Sequence, residues 1–152
     1  MNAPVDVLEM IRASMVHTVP FAKHVGIELT EVGEGTATAT LEQSPETTNH
    51  MRSVHAGALF TLAETAAGGA VAGAFAPFML GMKAFPTEMS IELDKPVRGR
   101  CLASASITRD LSKLTVKLNE DRVISFDADV VVKDEDNIAV ASFRSSWRVR
   151  LR

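Results

Sequence analysis

A single carboxylate interrupts a long run of small and apolar residues near the middle of the chain. Glu64 stands nine residues after His55, among alanines and glycines. A carboxylate can act as a general base or as a nucleophile. Asn49, six residues before His55, adds a neutral polar side chain to the same segment. These three residues are therefore candidates for a shared chemical site.

Each of these residues also has an ordinary structural interpretation. Glu64 could be an exposed carboxylate on a helix surface, His55 could cap a helix or lie in a loop, and Asn49 could be only a loop residue. The four histidines show no metal-ligand spacing, so the sequence predicts no metal site. We expect the remaining histidines to be structural or exposed: His17, His24 and His50.

Composition favours a globular protein without a nucleic-acid partner. Hydrophobic residues make up 46% of the 152 positions and charged residues 23%, which is near the average for soluble proteins. The length predicts one domain over residues 1–152, with residues 1–19 as an N-terminal helical segment. The net charge of −3 argues against binding to phosphate backbones.

The sequence favours a cytoplasmic protein without a membrane span. A lone cysteine, Cys101, excludes an intrachain disulfide. The N-terminus carries Asp6 and Glu9 and lacks the apolar core of a signal peptide. Residues 56–81 are long enough to cross a bilayer, but they contain Glu64 and consist mainly of alanine and glycine.

Periodicity predicts two helices that could position these residues. The first covers residues 4–18 and ends at Pro20, before extended chain. The second runs from about Gly57 to Phe75 and stops at Pro77. Its glycines would each weaken an isolated helix by about 1 kcal/mol, so packing against a close sheet must hold it. The predicted buried face is Leu59, Leu62, Ala63, Ala66, Ala70 and Val71, and the glycines are Gly68, Gly69 and Gly73.

Alternating patterns predict strands on both sides of the long helix. The predicted strands cover residues 27–32, 36–43, 87–96, 101–110, 113–119, 122–134 and 138–152. The predicted inward residues are Ala37, Ala39 and Leu41 in the second strand, Met89, Ile91 and Leu93 in the third, and Ala141, Phe143, Ser145, Trp147, Val149 and Leu151 in the last. Strands without alternating helices predict an antiparallel sheet and an α+β fold.

Residues 20–149 resemble phenylacetate-pathway (PaaI-type) acyl-CoA thioesterases. The resemblance rests on PFAKHVGIELTEVGEGTATATLE near the start and on MSIELDKPVRGR, with its Pro96 and Gly99. It also rests on an Asn/Gln, His-Gly-Gly and Asp/Glu motif, which corresponds here to Asn49, His55, Ala56, Gly57, Ala58 and Glu64. It implies the hotdog fold, in which a curved antiparallel sheet wraps a long central helix.

The chain departs from this family pattern at several positions. Ala56 replaces the first glycine of the motif, and Gly68 stands where the 4-hydroxybenzoyl-CoA type has a water-holding Ser or Thr. Arg52 or Ser53 replaces a further glycine. The segment from Arg109 to Arg122 is longer than the usual tight hairpin.

The resemblance implies hydrolysis of an acyl-CoA thioester to free acid and CoA. Glu64 would be the general base or the nucleophile, and the Gly57 N–H at the helix N-terminus would stabilise the oxyanion. His55 would orient or polarise the carbonyl, and Asn49 would position water or the carboxylate. Gly57 and Glu64 lie about 10 Å apart along a helix. One carbonyl cannot contact both in one chain, which predicts a homodimer with composite sites that could pair into a dimer of dimers.

Several further residues are candidates for substrate binding. Ala67 and Gly68 leave room beside Glu64, and Ala56 precedes the oxyanion residue. Thr87 lies near an auxiliary polar position of the family, and Met89 could line an acyl pocket with Met79 and Met82 or belong to ordinary core. We expect no cofactor beyond the CoA of the substrate. The alternative is a non-catalytic module that binds acyl-CoA or a fatty acyl group.

Overall fold

The N-terminal segment folds into two short helices. The computed structural model describes residues 5–152, and the first four residues, where the predicted helix begins, lie outside this range. Helix α1 covers Val5–Ser14, and a single 3-10 turn covers Val16–Thr18. Pro20 begins helix α2, Pro20–Val25, so the prediction of extended chain there was wrong. Proline suits a first helical turn because its missing N–H would have no partner there.

Six antiparallel strands form one sheet. They are β1 (Ile27–Gly33), β2 (Thr36–Glu42), β3 (Met82–Leu93), β4 (Arg100–Ser106), β5 (Val123–Lys133) and β6 (Ala139–Leu151). Their order across the sheet is β1-β2-β4-β5-β6-β3, so β1 and β3 are the edges. The inward residues of β2 and β6 are buried as the alternation predicted, apart from the half-buried Leu151 at the C-terminal end of β6.

The long helix α3, Ala56–Ala74, packs across β1, β2, β4 and β5. Every residue of its predicted inner face is less than 5% exposed. A Cβ added at Gly73 would lie 2.0 Å from the carbonyl oxygen of Gly33 in β1, and one at Gly69 would lie 3.0 Å from the Ala37 Cβ. These glycines therefore let the sheet approach the helix closely, as the sequence predicted. The arrangement is an α+β hotdog fold.

The prediction of a strand over residues 113–119 was wrong. This segment belongs to helix α4, Leu111–Asp121, whose N-cap Asp110 accepts a hydrogen bond from the Lys113 N–H at 3.2 Å. Leu114 and Leu118 are four residues apart and both are buried, so the apolar spacing suits a helix as well as a strand. The longer segment noted between β4 and β5 is this helix, and β4 ends at Ser106 instead of Asp110.

Strand β3 is longer and more exposed than predicted. It begins at Met82, five residues before the predicted start. Met89 and Ile91 are half-buried, but Leu93 is 49% exposed, so its assignment to an inner face was wrong. The physical reason is the position of β3 at the sheet edge, where α3 covers it less than it covers the central strands.

Candidate active site

Glu64 lies in the wall of an apolar cavity of about 390 Å³. One wall is α3, and the others come from the N-terminal segment, from the 3-10 helix Ala76–Gly81 that follows α3, and from strands β3 and β6. Its lining includes the side chains of Met15, Thr18, Met79, Met82 and Trp147. A mainly apolar cavity with a few polar groups is the usual form of a small-molecule site.

The carboxyl group of Glu64 is half-buried in this wall. Its burial raises the pKa of Glu64 above the ordinary value, because water can no longer solvate the charged form fully. Within the described part of the chain, no cation lies within ion-pair distance of Glu64. The carboxylate therefore retains its acceptor capacity for a group that enters the cavity.

His55 caps the N-terminus of α3. Its Nδ1 accepts a hydrogen bond from the Gly57 N–H at 2.8 Å, while its carbonyl oxygen accepts from Ala58 and Leu59. The accepting Nδ1 carries no proton, which assigns the proton of the neutral ring to Nε2. His55, Ala56 and Gly57 are all exposed. His55 therefore acts as a helix cap in this chain, and the Gly57 N–H is already hydrogen-bonded to its side chain.

Asn49 holds the loop that leads into α3. Its Oδ1 accepts hydrogen bonds from the Met51 N–H at 2.9 Å, from the Ser53 N–H at 3.1 Å and from the Ser53 hydroxyl at 3.1 Å. The loop between them contains Arg52 in the left-handed region, at φ 60°. The side chain that would position water or the carboxylate is therefore engaged in setting the backbone just before His55.

The sequence-predicted residues fall into two groups along α3. Glu64 and Gly68 line the cavity, whereas His55, Ala56 and Gly57 lie at the helix N-terminus and are not among its lining residues. Seven residues separate Gly57 from Glu64, which is about 10 Å along the helix axis. One chain alone therefore does not bring the carboxylate and the helix N-terminus to one point.

The remaining candidate residues lie outside the cavity wall. Ala67 is fully buried in the core, and Met89 is half-buried against it. Thr87 is exposed at a bulge of β3, and its hydroxyl donates to the carbonyl oxygen of Ser146 at 3.2 Å. Of the three methionines that could have lined a pocket or belonged to ordinary core, Met79 and Met82 line the cavity.

Sequence reasoning missed most of the residues that line the cavity, among them Met15, Thr65 and Trp147. The helical period offered a signal for Thr65, because α3 positions 64, 65, 68, 71 and 72 share the face that lines the cavity. The pattern of β6 marked Trp147 as an inward residue but not as a site residue. Nothing in the local sequence connects Met15 with Glu64.

The described residues, 5–152, contain neither a metal-ligand cluster nor a membrane-spanning helix. No group of three or more His, Cys, Asp or Glu side chains is arranged to hold a metal ion within that range. No helix in the same range is long and apolar enough to cross a membrane.

Solved structures place the chain in the class of hotdog-fold proteins. A Pseudomonas aeruginosa protein of unknown function, described as a probable thioesterase, matches with a TM-score of 0.82 and 23% identity over 100% of this chain and 99% of its own. The Escherichia coli PaaI protein from the phenylacetic acid degradation operon matches with a TM-score of 0.76 and 20% identity over 99% and 96%. A Chlorobaculum tepidum protein of unknown function reaches 0.85 at 15% identity, covering 98% and 97%. At these identities the likeness establishes the fold.

The chain belongs to the family described as Domain of unknown function (DUF4442), whose model matches residues 8–149. No curated protein matches the sequence significantly.

Proposed function

We propose that this protein hydrolyses acyl-CoA thioesters to free acids and CoA. The observation that carries the proposal is Glu64, a half-buried carboxylate in the wall of an apolar cavity, with its pKa raised by burial. A general base is most effective when its pKa approaches the working pH, and burial moves Glu64 in that direction. Structural neighbours described as thioesterases support the same class of reaction.

The cavity lining suits the acyl part of such a substrate. Met79, Met82 and Trp147 offer apolar surface, and the flexible methionine side chains can adapt to different acyl groups. Gly68 adds no side chain beside Glu64, and its neighbour Met15 Cε, which would lie 2.9 Å from an added Cβ, is the end of a flexible side chain that an entering acyl group could displace. Thr87 and Met89, on β3, would border the route by which the rest of the substrate reaches the cavity.

The proposed site requires two copies of the chain. The helix N-terminus is about 10 Å from Glu64 along α3, so an oxyanion donor must come from elsewhere. Two antiparallel copies of α3 would put Gly57 and Ala56 of one chain opposite Glu64 of the other. Strand β3 supports this assembly, because an edge of 12 residues presents backbone groups that a second β3 could pair with.

In this mechanism His55 changes its hydrogen bond when substrate binds. The Gly57 N–H now donates to His55 Nδ1, so the imidazole must turn aside before that amide can stabilise an oxyanion. The proton on Nε2 lets His55 itself donate to the thioester carbonyl. Asn49 would act as a positioning residue, since it holds the loop from which His55 projects.

The engaged Gly57 amide also favours a second candidate function. A protein that binds acyl-CoA or a fatty acyl group without turnover needs no free oxyanion donor, and a closed helix cap would suit it. Release of free thiol from short, long and aromatic acyl-CoAs separates the two functions. Saturable binding without thiol release would favour the binding module.

The decisive variant is Glu64→Gln, which keeps the side-chain shape but removes the base. We expect a loss of about 10²- to 10⁴-fold in kcat, the usual contribution of a general base. Glu120→Gln is the matched control, because Glu120 is an exposed carboxylate on α4. Equal turnover by both variants would refute the catalytic role of Glu64.

Mixing two inactive variants tests the composite site. Gly57→Pro removes the proposed oxyanion N–H, and proline is tolerated in a first helical turn. A hybrid dimer with Glu64→Gln would contain one intact site, because the intact Glu64 and the intact Gly57 come from different chains. Refolding equal amounts together should restore roughly a quarter of the wild-type activity for a two-fold dimer. No recovery in a mixture proven to contain hybrids would exclude a shared site.

A further inference from the structure

Thr65 is the second polar side chain that α3 contributes to the cavity. The other residues of α3 in this wall, apart from Glu64, are Gly68, Val71 and Ala72, none of which can hydrogen-bond through a side chain. Thr65 is only 8% exposed, so its hydroxyl sits where few bulk waters compete for it. It directly follows the carboxylate that we propose as the base.

The hydroxyl hydrogen of Thr65 already takes part in a hydrogen bond within α3. Thr65 Oγ1 donates to the carbonyl oxygen of Thr61 at 2.8 Å, so the oxygen can only accept a hydrogen bond from the cavity. An ionised Glu64 is likewise only an acceptor. A water molecule between these two groups must donate both of its hydrogens, which leaves its lone pairs free to point elsewhere.

We propose that Thr65 is a positioning residue that holds the hydrolytic water, accepting one hydrogen while Glu64 accepts the other. This inference rests on the proposed hydrolase function. The water oxygen bonds to the thioester carbonyl carbon, and the proton held by Glu64 leaves the water. The carbon–sulfur bond then breaks, Glu64 returns that proton to the thiolate, and the second hydrogen stays on the new carboxyl group. The products are one carboxylic acid and one thiol.

The chain contains a matched control for this residue. Thr61 lies one turn earlier on α3 and is 6% exposed, and its hydroxyl donates to the carbonyl oxygen of Gly57 at 2.8 Å. It therefore has the same residue type, the same helix and the same local hydrogen bond as Thr65. Thr61 is not among the residues that line the cavity, so of these two threonines of α3 only Thr65 faces the space beside Glu64.

Three variants test the inference: Thr65→Val, Thr65→Ser and Thr61→Val. With an acyl-CoA that the wild type hydrolyses, Thr65→Val should lower kcat about 10- to 100-fold and leave KM unchanged, because a hydrogen bond to the reacting water is lost. Thr65→Ser keeps the hydroxyl and should stay within a few-fold of wild type. Thr61→Val should leave both constants unchanged. Urea unfolding of each variant confirms that it is folded.

The outcomes separate the role of Thr65 from the proposed hydrolase function. Equal kcat for Thr65→Val and Thr61→Val would overturn the role of Thr65, while a simultaneous loss in Glu64→Gln would leave the proposed function standing. Equal turnover by wild type and Glu64→Gln, or no turnover by the wild type, would overturn both. Heavy oxygen from labelled water in the Glu64 carboxyl group after a single turnover would show a covalent route, which also overturns the water-holding role.

Discussion

Gly73→Ala should destabilise the protein because its added methyl group would meet backbone of the sheet. The new Cβ would lie 2.0 Å from the carbonyl oxygen of Gly33 and 3.1 Å from the Gly33 carbonyl carbon. Helix and strand would have to separate by about 1 Å to reach the 3.0 Å that real contacts tolerate. Replacing glycine by alanine favours the helix by about 1 kcal/mol. Overpacking of this kind costs about 1–3 kcal/mol, and we expect a cost near the upper end of that range because the contact is with rigid backbone.

Gly68→Ala on the same helix provides the comparison. Its added Cβ would lie 2.9 Å from Met15 Cε, the free end of a flexible side chain that can turn away. The gain of about 1 kcal/mol in propensity should then prevail. We therefore expect Gly73→Ala to lower the free energy of unfolding by about 1–2 kcal/mol and Gly68→Ala to raise it by up to about 1 kcal/mol.

Urea unfolding followed by far-UV circular dichroism measures this difference. All variants must be compared at one protein concentration, since any dimerisation contributes to apparent stability. In thermal scans the two variants should differ by about 2–12 °C for a chain of this size. Equal stabilities, or a more stable Gly73→Ala, would refute the conclusion that β1 approaches α3 too closely for a side chain at position 73.

Three further predictions concern single groups. Burial raises the pKa of Glu64, so the charged form of this carboxyl destabilises the fold. In urea unfolding, Glu64→Gln should therefore be more stable than wild type at pH 8. The difference should vanish below about pH 4, where the carboxyl is protonated in both the folded and the unfolded protein. An unchanged difference across this range would contradict the burial. His55→Ala and Asp110→Ala each remove a helix N-cap and should each cost about 0.5–2 kcal/mol in urea unfolding, but only His55→Ala should also lower thiol release. Burial raises the pKa of Cys101 to about 11, so alkylation of its thiol at pH 8 should follow global unfolding in urea; rapid labelling of the native protein would contradict this.

The local sequence pattern predicted the structure correctly where only one periodicity, helical or alternating, fitted the residues. The alternation in β2 and β6 identified their buried residues, and the small residues of α3 identified both its inner face and its close approach to a sheet. The prediction over residues 113–119 was wrong because Leu114 and Leu118 satisfy the helical period as well as an alternating one. The residues at the two ends of the segment 111–121 favour a helix: Asp110 caps its N-terminus, and Arg122 ends it in the left-handed conformation.

The sequence alone determined the candidate base and the helix that carries it. Glu64 is conspicuous because a carboxylate among alanines and glycines must either reach solvent or enter a cavity. Only the tertiary structure decided between these, since the opposite walls come from Met15, far earlier in the chain, and Trp147, far later. It also decided that the Gly57 amide is held by His55 and that Thr65 lines the cavity while its hydroxyl donates to the carbonyl oxygen of Thr61. Such contacts join residues distant in sequence through packing, and no local period records them.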